Sequence, residues 1–514
     1  MRPGQGRPKH ARYYGLDAIR RSFGHFVLGK GLSAASSLIV LIIIIRHLSV
    51  GEFAVYTSMH ALVLMLGMLS SLGVNAVLLR FLPELRAAHN NRAMYRLLAV
   101  GMFLRVMLYA IAALVLLWFT GLIGSLLKLG EWVWLLPWYL VVGFLRVNAT
   151  FTIGVLESLL WQREAQYSLA VAYLSKLAAV LAVMWNGTLT LEVFVLIECC
   201  VESLSLILLL SSAVLRWRAD AERSMGDAGV LRRDWRRYVS FGLWAFAQSL
   251  TAIFHGSAPN RLLVGYFLPV GSIAVFGTVD RLITFVRRYE PLLIFLGMVR
   301  PIFNSRFTKP DDFPRLVAMA NCLFRLNLVV LLVPFIFFAV AGEPVFDWLT
   351  AGKYVEAANV FLAFYGVLIL GSANPMIDVL VKVVERNKIY TFTNLILSAS
   401  ICVALPLLPL IGLWALALAN SVGIIFAVTI ILTYLRRVGY AITVDWSLTF
   451  RILAATAVAV AFGQALDGAR APLIVSLALS YLAFVLALYL WPPFRTEEKA
   501  LIRKVVLRDK QGSL

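Results

Sequence analysis

The sequence contains little cysteine and few charged residues. Its four cysteines (Cys199, Cys200, Cys322 and Cys402) all fall inside apolar stretches and lack metal-ligand spacing. A disulfide scaffold and a cysteine metal centre are therefore excluded, and we interpret these residues as small core side chains. Charged residues form only 14% of the chain, whereas hydrophobic residues form 61%. Together with a mean hydropathy of +0.85, this composition excludes a soluble globular protein.

Acidic residues are the scarcer of the two charged classes. The chain has 27 Asp and Glu against 47 Lys and Arg, which gives a formal net charge of +20. In a soluble protein such an excess would suggest nucleic-acid binding. Here the basic residues concentrate in the short breaks between apolar stretches, where anionic lipid headgroups are nearer. We therefore expect membrane lipids, and not nucleic acid, as the partner of this charge.

Apolar stretches are abundant. About fourteen of them follow one another, each long enough to cross a bilayer as a helix, and they predict an all-α integral membrane protein. The first 25 residues are polar and basic, and no small-residue cleavage pattern follows the first apolar run, so we expect that run to remain as a membrane helix. The predicted spans are 26–45, 53–79, 97–119, 132–156, 167–185, 191–215, 238–264, 273–299, 316–340, 360–384, 390–410, 413–435, 448–466 and 473–491.

Lys and Arg alternate between successive breaks, and this alternation predicts the orientation. One side receives Arg80 to Arg96, the arginine-rich break 216–237 and Arg300 to Arg315, together with both termini. By the positive-inside rule, both termini are cytoplasmic. The opposite breaks are short, so no outer loop is large enough to hold an acceptor and catalytic carboxylates. We therefore predict a protein that is not an enzyme and that uses no cofactor or metal.

Two parts of the chain share short strings in the same order. Ser22–Gly24 opens the first span and Ser240–Gly242 opens the seventh, and Val50–Tyr56 matches Val270–Phe276. Six helices separate the copies, and an even number preserves orientation, so we predict two six-helix bundles in a parallel repeat plus two C-terminal helices. The predicted divisions are a cytoplasmic N-terminal segment (1–25), a first bundle (26–215), a cytoplasmic linker (216–237), a second bundle (238–435), two additional helices (436–491) and a cytoplasmic tail (492–514).

Several strings resemble the polysaccharide flippases of the multidrug/oligosaccharidyl-lipid/polysaccharide exporter superfamily. The end of the second span contains Gly73–Ala76 followed by Arg80–Glu84. The junction of the seventh and eighth spans contains Asn260–Phe267, then Ala274–Gly277 and Arg281–Leu282. The resemblance covers essentially the whole chain, and fourteen helices also resemble the lipid II flippase subgroup.

The resemblance implies two bundles around a cationic lumen that accepts the phosphate-linked head of a lipid-linked oligosaccharide. The expected function is its transfer, on an undecaprenyl pyrophosphate carrier, from the inner to the outer leaflet of a bacterial cytoplasmic (inner) membrane by alternating access. This would serve synthesis of a surface polysaccharide such as an exopolysaccharide or O-antigen. Expected partners are this substrate, membrane lipids, and polysaccharide polymerase and chain-length proteins.

Two other functions stay open at this point. The first is a cation-coupled multidrug exporter of the same superfamily, which would favour carboxylates and aromatic residues in its cavity. The second is a membrane polysaccharide polymerase or ligase, which the short outer breaks oppose.

Charged residues deep in apolar spans are candidates for function, since an uncompensated charge there costs at least ~2.5–3.5 kcal/mol. In the eighth span, Asp280 and Arg287 are seven residues apart, as are Arg281 and Arg288, so the four side chains form one helical stripe. We interpret this stripe as the wall of a water-filled substrate cavity. The alternative is that Arg287 pairs with Glu290 and reaches toward water.

Further cations lie in other spans. The resemblance places functional cations on the first and eighth helices, so it transfers a role to Lys30 and Arg281. Lys30 lies near the cytoplasmic end, and snorkelling to the interface is its alternative interpretation. The predicted substrate-binding set is Lys30, Arg146, Lys176, Arg281, Arg287, Arg288 and Arg325.

Carboxylates accompany these cations. Glu198 and Glu202 lie one turn apart in the sixth span, where they either bind a coupling cation or neutralise Lys176 of the neighbouring helix; we favour neutralisation. We interpret His60, in the second span, as a packed polar residue. The predicted set for ion coupling or charge compensation is Glu198, Glu202, Asp280 and Asp378.

Overall fold

The computed structural model describes residues 16–159, 161–221, 227, 229–253, 256–288, 290, 292–293, 312–384, 386, 388–495 and 498. Throughout these residues the regular structure is helical, which confirms the all-α prediction. They group into two compact units, one ending at Gly277 and the other starting at Thr278. The predicted division at the linker 216–237 rests on the repeat and stays a prediction.

The helices of the first unit range from 5 to 32 residues in length. They are α1 (Leu16–His47), α2 (Val50–Leu69), α3 (Val74–Ala87), α4 (Asn91–Trp118), α5 (Thr120–Leu126), α6 (Leu136–Ser158), α7 (Gln162–Asn186), α8 (Leu191–Ala221), α9 (Gly229–Arg233), α10 (Trp235–Ile253) and α11 (Ser257–Phe267), with a 3-10 turn at Gly130–Leu135. Helix α12 (Val270–Arg288) begins in the first unit and ends in the second.

The second unit is also helical. Its described helices are α13 (Phe313–Thr350), α14 (Ala357–Gly371), α15 (Asn374–Val383), α16 (Lys388–Ala399), α17 (Ile401–Ile411), α18 (Trp414–Arg437), α19 (Trp446–Gly468) and α20 (Leu473–Leu490).

Twelve helical segments in the described part of the chain are long and apolar enough to cross a membrane. Each coincides with one of the fourteen predicted spans. The predicted seventh span is divided between α10 and α11, and the predicted eighth corresponds to α12, whose second half carries four charged residues. These two segments are less apolar than the others because of their polar side chains, and residues 294–299 of the eighth span lie outside the described residues.

The Glu52 carboxylate accepts backbone hydrogen bonds at the first turns of two helices that carry the candidate site. At the start of α2, the Ser49 hydroxyl accepts from the Glu52 N–H at 3.2 Å, and the Glu52 carboxylate accepts from the Ser49 N–H at 2.8 Å. This is a capping box, which satisfies backbone donors that a helix leaves unpaired. The second Glu52 oxygen accepts from the Leu191 N–H at 3.0 Å, at the start of α8. Glu52 therefore aligns the first turns of α2 and α8.

The predicted second span is not one helix. The α2 segment ends at Leu69, Leu72 and Gly73 follow with positive φ values of 40° and 79°, and α3 starts at Val74. Glycine tolerates the left-handed conformation at little cost, whereas Leu72 is strained there. The prediction of a continuous helix over 53–79 is therefore wrong, because apolar periodicity does not report a local left-handed turn.

In the second unit, α13 is the central helix. Its apolar face, which includes Leu328, Leu332 and Ile336, packs against α19 and α20. The packing is close: a Cβ on Gly463 of α19 would lie 2.6 Å from Val340 Cγ2. The two C-terminal helices therefore pack against α13 and share a hydrophobic core with it.

Candidate functional site

Four helices of the first unit bring a set of polar side chains into one buried cluster, which we call the α2–α8 cluster. Each helix contributes residues from one face, since spacings of four and seven residues return a side chain to the same side. Its members are Tyr56 and His60 on α2, Tyr139 and Arg146 on α6, Lys176 on α7, and Glu198 and Glu202 on α8.

Arg146 is the centre of the α2–α8 cluster. Its Nε donates to Glu202 Oε1 at 2.8 Å, and its Nη2 donates to Glu198 Oε1 at 2.8 Å. Its Nη1 lies 2.8 Å from His60 Nδ1. Every nitrogen of the planar guanidinium thus has a partner, and the three partners come from two other helices. This arrangement fixes the orientation of the guanidinium.

One carboxylate oxygen of Glu198 accepts hydrogen bonds from three donors. Besides Arg146, the Lys176 Nζ lies 2.5 Å and the Tyr56 Oη 3.2 Å from Glu198 Oε1. The Glu198 side chain is 1% exposed. The Lys176 ammonium also lies 5.0 Å from the centre of the Phe194 ring, within cation–π range. A carboxylate buried this deeply is stable only because charged and neutral donors surround it.

His60 takes part in the cluster through one defined ring nitrogen. A guanidinium can only donate hydrogen bonds, so the contact with Arg146 requires His60 Nδ1 to be an acceptor. The imidazole is then neutral with its proton on Nε2, and Tyr139 Oη lies 3.3 Å from the same Nδ1. Sequence reasoning treated His60 as a packed residue and missed this connection; its position one turn after Tyr56 was the available signal.

The α2–α8 cluster is balanced in charge, with two cations and two carboxylates. Of the two arrangements that the sequence left open for Glu198, the structure contains the neutralising one, extended to Arg146 as well as Lys176. Arg146 and Lys176 are therefore engaged by carboxylates in this conformation.

The charged stripe of the predicted eighth helix lies on α12. Asp280 and Arg281 are part-buried, and Arg287 and Arg288 are exposed. Glu290, the alternative partner of Arg287, is buried and accepts from Asn327 Nδ2 at 2.7 Å. Arg287 and Arg288 therefore present guanidinium groups at the end of a helix that lies within the series of membrane spans.

The other predicted residues are distributed over both units. Lys30 is part-buried on α1. Arg325 on α13 is completely buried, and its guanidinium contacts Asp445 Oδ2 at 3.0 Å and the Glu498 carboxylate. Asp378 on α15 accepts from Lys382 Nζ, one turn later, at 2.6 Å. The buried charge of Arg325 is thus paired with the carboxylates of Asp445 and Glu498.

Arg105 on α4 is not a member of the predicted site, and it is 4% exposed. Its guanidinium donates to Asn75 Oδ1 near the start of α3 and to the Val147 carbonyl at 3.2 Å, and lies 4.8 Å from the Phe151 ring centre. These contacts hold α3 on α4 and α6, so its role is in packing. Among the described residues, no group of three or more His, Cys, Asp or Glu could hold a metal ion.

Comparisons with known proteins identify the family. The model of the polysaccharide biosynthesis protein family matches residues 19–302, which is more than half of the chain. The lipid II flippase MurJ in an inward-closed conformation is similar in structure, with a TM-score of 0.64, 11% identity, and coverage of 94% of this chain and 99% of that one. A MATE transporter in a bent conformation gives a TM-score of 0.55 at 13% identity, covering 84% of this chain and 98% of that one. Comparison with curated protein sequences gives no significant match. The chain therefore belongs to the polysaccharide biosynthesis protein family, and its fold is similar to those of MurJ and of the MATE transporter.

Proposed function

We propose that the protein transfers a lipid-linked oligosaccharide, with an undecaprenyl pyrophosphate carrier, from the inner to the outer leaflet of a bacterial cytoplasmic membrane. The family description and the similarity to a lipid II flippase support a substrate of this class. The product would supply synthesis of a surface polysaccharide, with the polymerase and chain-length proteins of that process as partners. Both termini would be cytoplasmic.

This proposal depends on the position and exposure of the arginines of α12. A pyrophosphate-sugar headgroup cannot cross hydrocarbon unaided, because its charges and hydroxyls would lose their water. Guanidinium groups replace that water with charge-assisted hydrogen bonds and can hold two phosphate oxygens at once. Arg287 and Arg288 are exposed and Arg281 is part-buried on the same helix. We assign phosphate binding to these three residues, and we propose such a role separately for Lys30 of the first unit.

Arg146 and Lys176 receive a different assignment. Arg146, Lys176 and Arg325 already have anionic partners at hydrogen-bonding distance, so a phosphate could bind them only after displacing a carboxylate. We assign Arg146 and Lys176 to charge compensation inside the first unit.

The membrane potential favours the proposed direction. With the cell interior negative, outward movement of two negative charges is favoured by roughly 4–5 kcal/mol per 100 mV. The potential alone could therefore bias transport, and a coupling ion is not required by the energetics.

The arginine variants test this assignment. In the double variant R281A/R288A, each lost charge-assisted hydrogen bond removes roughly 1.5–3 kcal/mol of binding. Transfer of an undecaprenyl-pyrophosphate saccharide in liposomes should therefore fall by at least about tenfold. The matched control is R436A/R437A, which removes two exposed arginines from the last turn of α18 and should transport normally.

Other outcomes would redirect the proposal. Equal transport by R281A/R288A and R436A/R437A would remove α12 from the substrate path. Efflux of a cationic drug, with no movement of the saccharide, would favour the multidrug-exporter alternative. A new glycosidic bond made by the purified protein would favour a polymerase or ligase.

A further inference from the structure

We propose that the contact between α3 and α10, centred on Gly73 and Gly242, is a cytoplasmic gate that opens to admit the substrate headgroup. The inference rests on the proposed inner-to-outer transport. Both helices belong to the first compact unit, so their contact is part of one packed body. In the predicted repeat, however, α3 belongs to the first half and α10 to the second. A contact between the two halves must open if the substrate passes between them.

The two glycines permit an unusually close approach of two backbones. A Cβ on Gly73 would lie 1.9 Å from the Gly242 carbonyl oxygen, and a Cβ on Gly242 would lie 3.0 Å from Val77 Cγ2. No side chain can occupy the first position while the contact is closed. Small residues allow helices to approach in this way in membranes, where packing replaces the hydrophobic effect as the driving force.

Aromatic and charged side chains extend the contact beyond the glycines. The Phe81 ring of α3 meets Tyr238 and Phe241 of α10 edge-on, with centroid distances of 4.7 and 5.3 Å. The Arg237 guanidinium lies 4.9 Å from the Phe81 ring centre and 3.1 Å from Glu84 Oε1. Because Arg237 and Glu84 are substantially exposed, their ion pair is weak and can separate at little cost.

The cytoplasmic position of this contact follows from the charge distribution. The α3 segment ends in the basic break that begins at Arg80, and α10 starts at the end of the arginine-rich break 216–237. Both breaks lie on the predicted cytoplasmic side. The contact is therefore at the end of the path where a substrate from the inner leaflet would enter.

The left-handed turn between α2 and α3 separates this contact from a second one. On the other side of the turn, Thr57 of α2 meets Gly277 of α12, where a Cβ on Gly277 would lie 2.5 Å from Thr57 Oγ1. These two residues are equivalent in the repeat, since each follows the matched pair Tyr56 and Phe276. Because Arg105 holds α3 on α4 and α6, opening of the gate would move α10 away from α3 while α2 keeps its contact with α12.

A reversible cross-link tests the gate. In a cysteine-free background, the pair V77C/G242C should form a disulfide, because the Gly242 Cβ position is close to the Val77 side chain. Oxidation should lower transport by at least about tenfold, and reduction should restore it. The control pair G342C/A358C joins α13 and α14, where a Cβ on Gly342 would lie 3.6 Å from Ala358 Cβ, and its oxidation should leave transport unchanged.

A second readout does not depend on the substrate. In the single variant G242C, a membrane-impermeant maleimide applied from the cytoplasmic side should label the introduced thiol, because an opening gate exposes it. The A93C thiol, at a buried position of α4 on the same predicted cytoplasmic side, should stay unlabelled.

Three results would overturn the gate: undiminished transport by the oxidised V77C/G242C pair, failure of that pair to cross-link while the control pair does, or labelling of G242C only after denaturation. A wild-type protein that moves no saccharide while G242C is labelled would instead count against the proposed function and leave the gate in place.

Discussion

Replacing Glu198 by alanine is expected to lower the free energy of unfolding by ~3–5 kcal/mol, because removing one partner of a buried ion pair leaves charge without compensation. In E198A, Lys176 loses its salt-bridge partner and Arg146 loses one of two. The loss should exceed that in E202A, since Glu202 is 18% exposed and water can partly replace it.

This effect is measured by denaturant titration in detergent micelles, with E192A as the matched control. Glu192 lies on the same helix and is exposed, so its removal should change stability very little. In the double variant K176M/E198Q the loss should be smaller than the sum of the single losses, because the two charges are removed together. An E198A protein as stable as E192A would show that the α2–α8 cluster contributes no net stability.

Replacing Arg325 by alanine is expected to destabilise the second unit by a similar amount, ~3–5 kcal/mol. The Arg325 side chain is completely buried, and its loss leaves a cavity and the carboxylates of Asp445 and Glu498 without their shared cation. Asp445 also binds Arg495 at 3.1 Å, so Arg325 connects the loop before α19 to the chain beyond α20. The R325A variant should therefore loosen the segment around Arg495.

Trypsin reports this loosening directly, since it cleaves after arginine. Cleavage after Arg495 should be several times faster in R325A than in the wild type, because local unfolding exposes the site. The control R315A removes an exposed arginine from the first turns of the same helix and should leave the cleavage rate unchanged. If R325A resists unfolding and trypsin as well as R315A does, Arg325 is not the connection proposed here.

Much of the fold follows from the sequence because membrane helices are set by local chemistry. Each of the twelve described membrane-length segments matches a predicted span, since a run of about 20 apolar residues has few alternatives in lipid. The breaks are less predictable. Leu72 and Gly73 interrupt the second span at a left-handed turn, and at the same place the backbone of Gly73 lies close to that of Gly242, about 170 residues away in sequence. Apolar periodicity does not predict this contact.

The candidate site was predictable in its residues but not in its partners. Arg146, Lys176, Glu198 and Glu202 are conspicuous in apolar helices, and helical spacing alone puts the two glutamates on one face. Which helix meets that face depends on tertiary packing, so the contact between His60 and Arg146 could not be derived, although helical spacing puts Tyr56 and His60 on one face of α2. The same holds for Arg325, whose carboxylate partners lie 120 and 173 residues away in sequence.

The most direct test of the proposed function compares two substrates in liposomes containing the wild-type protein. One is an undecaprenyl-pyrophosphate saccharide, and the other carries the same saccharide on the same lipid without phosphate. If arginine contacts to phosphate allow the headgroup to cross, only the first should change leaflets, and an inside-negative potential should speed its outward movement. Equal movement of both lipids, at a rate independent of potential, would contradict the account.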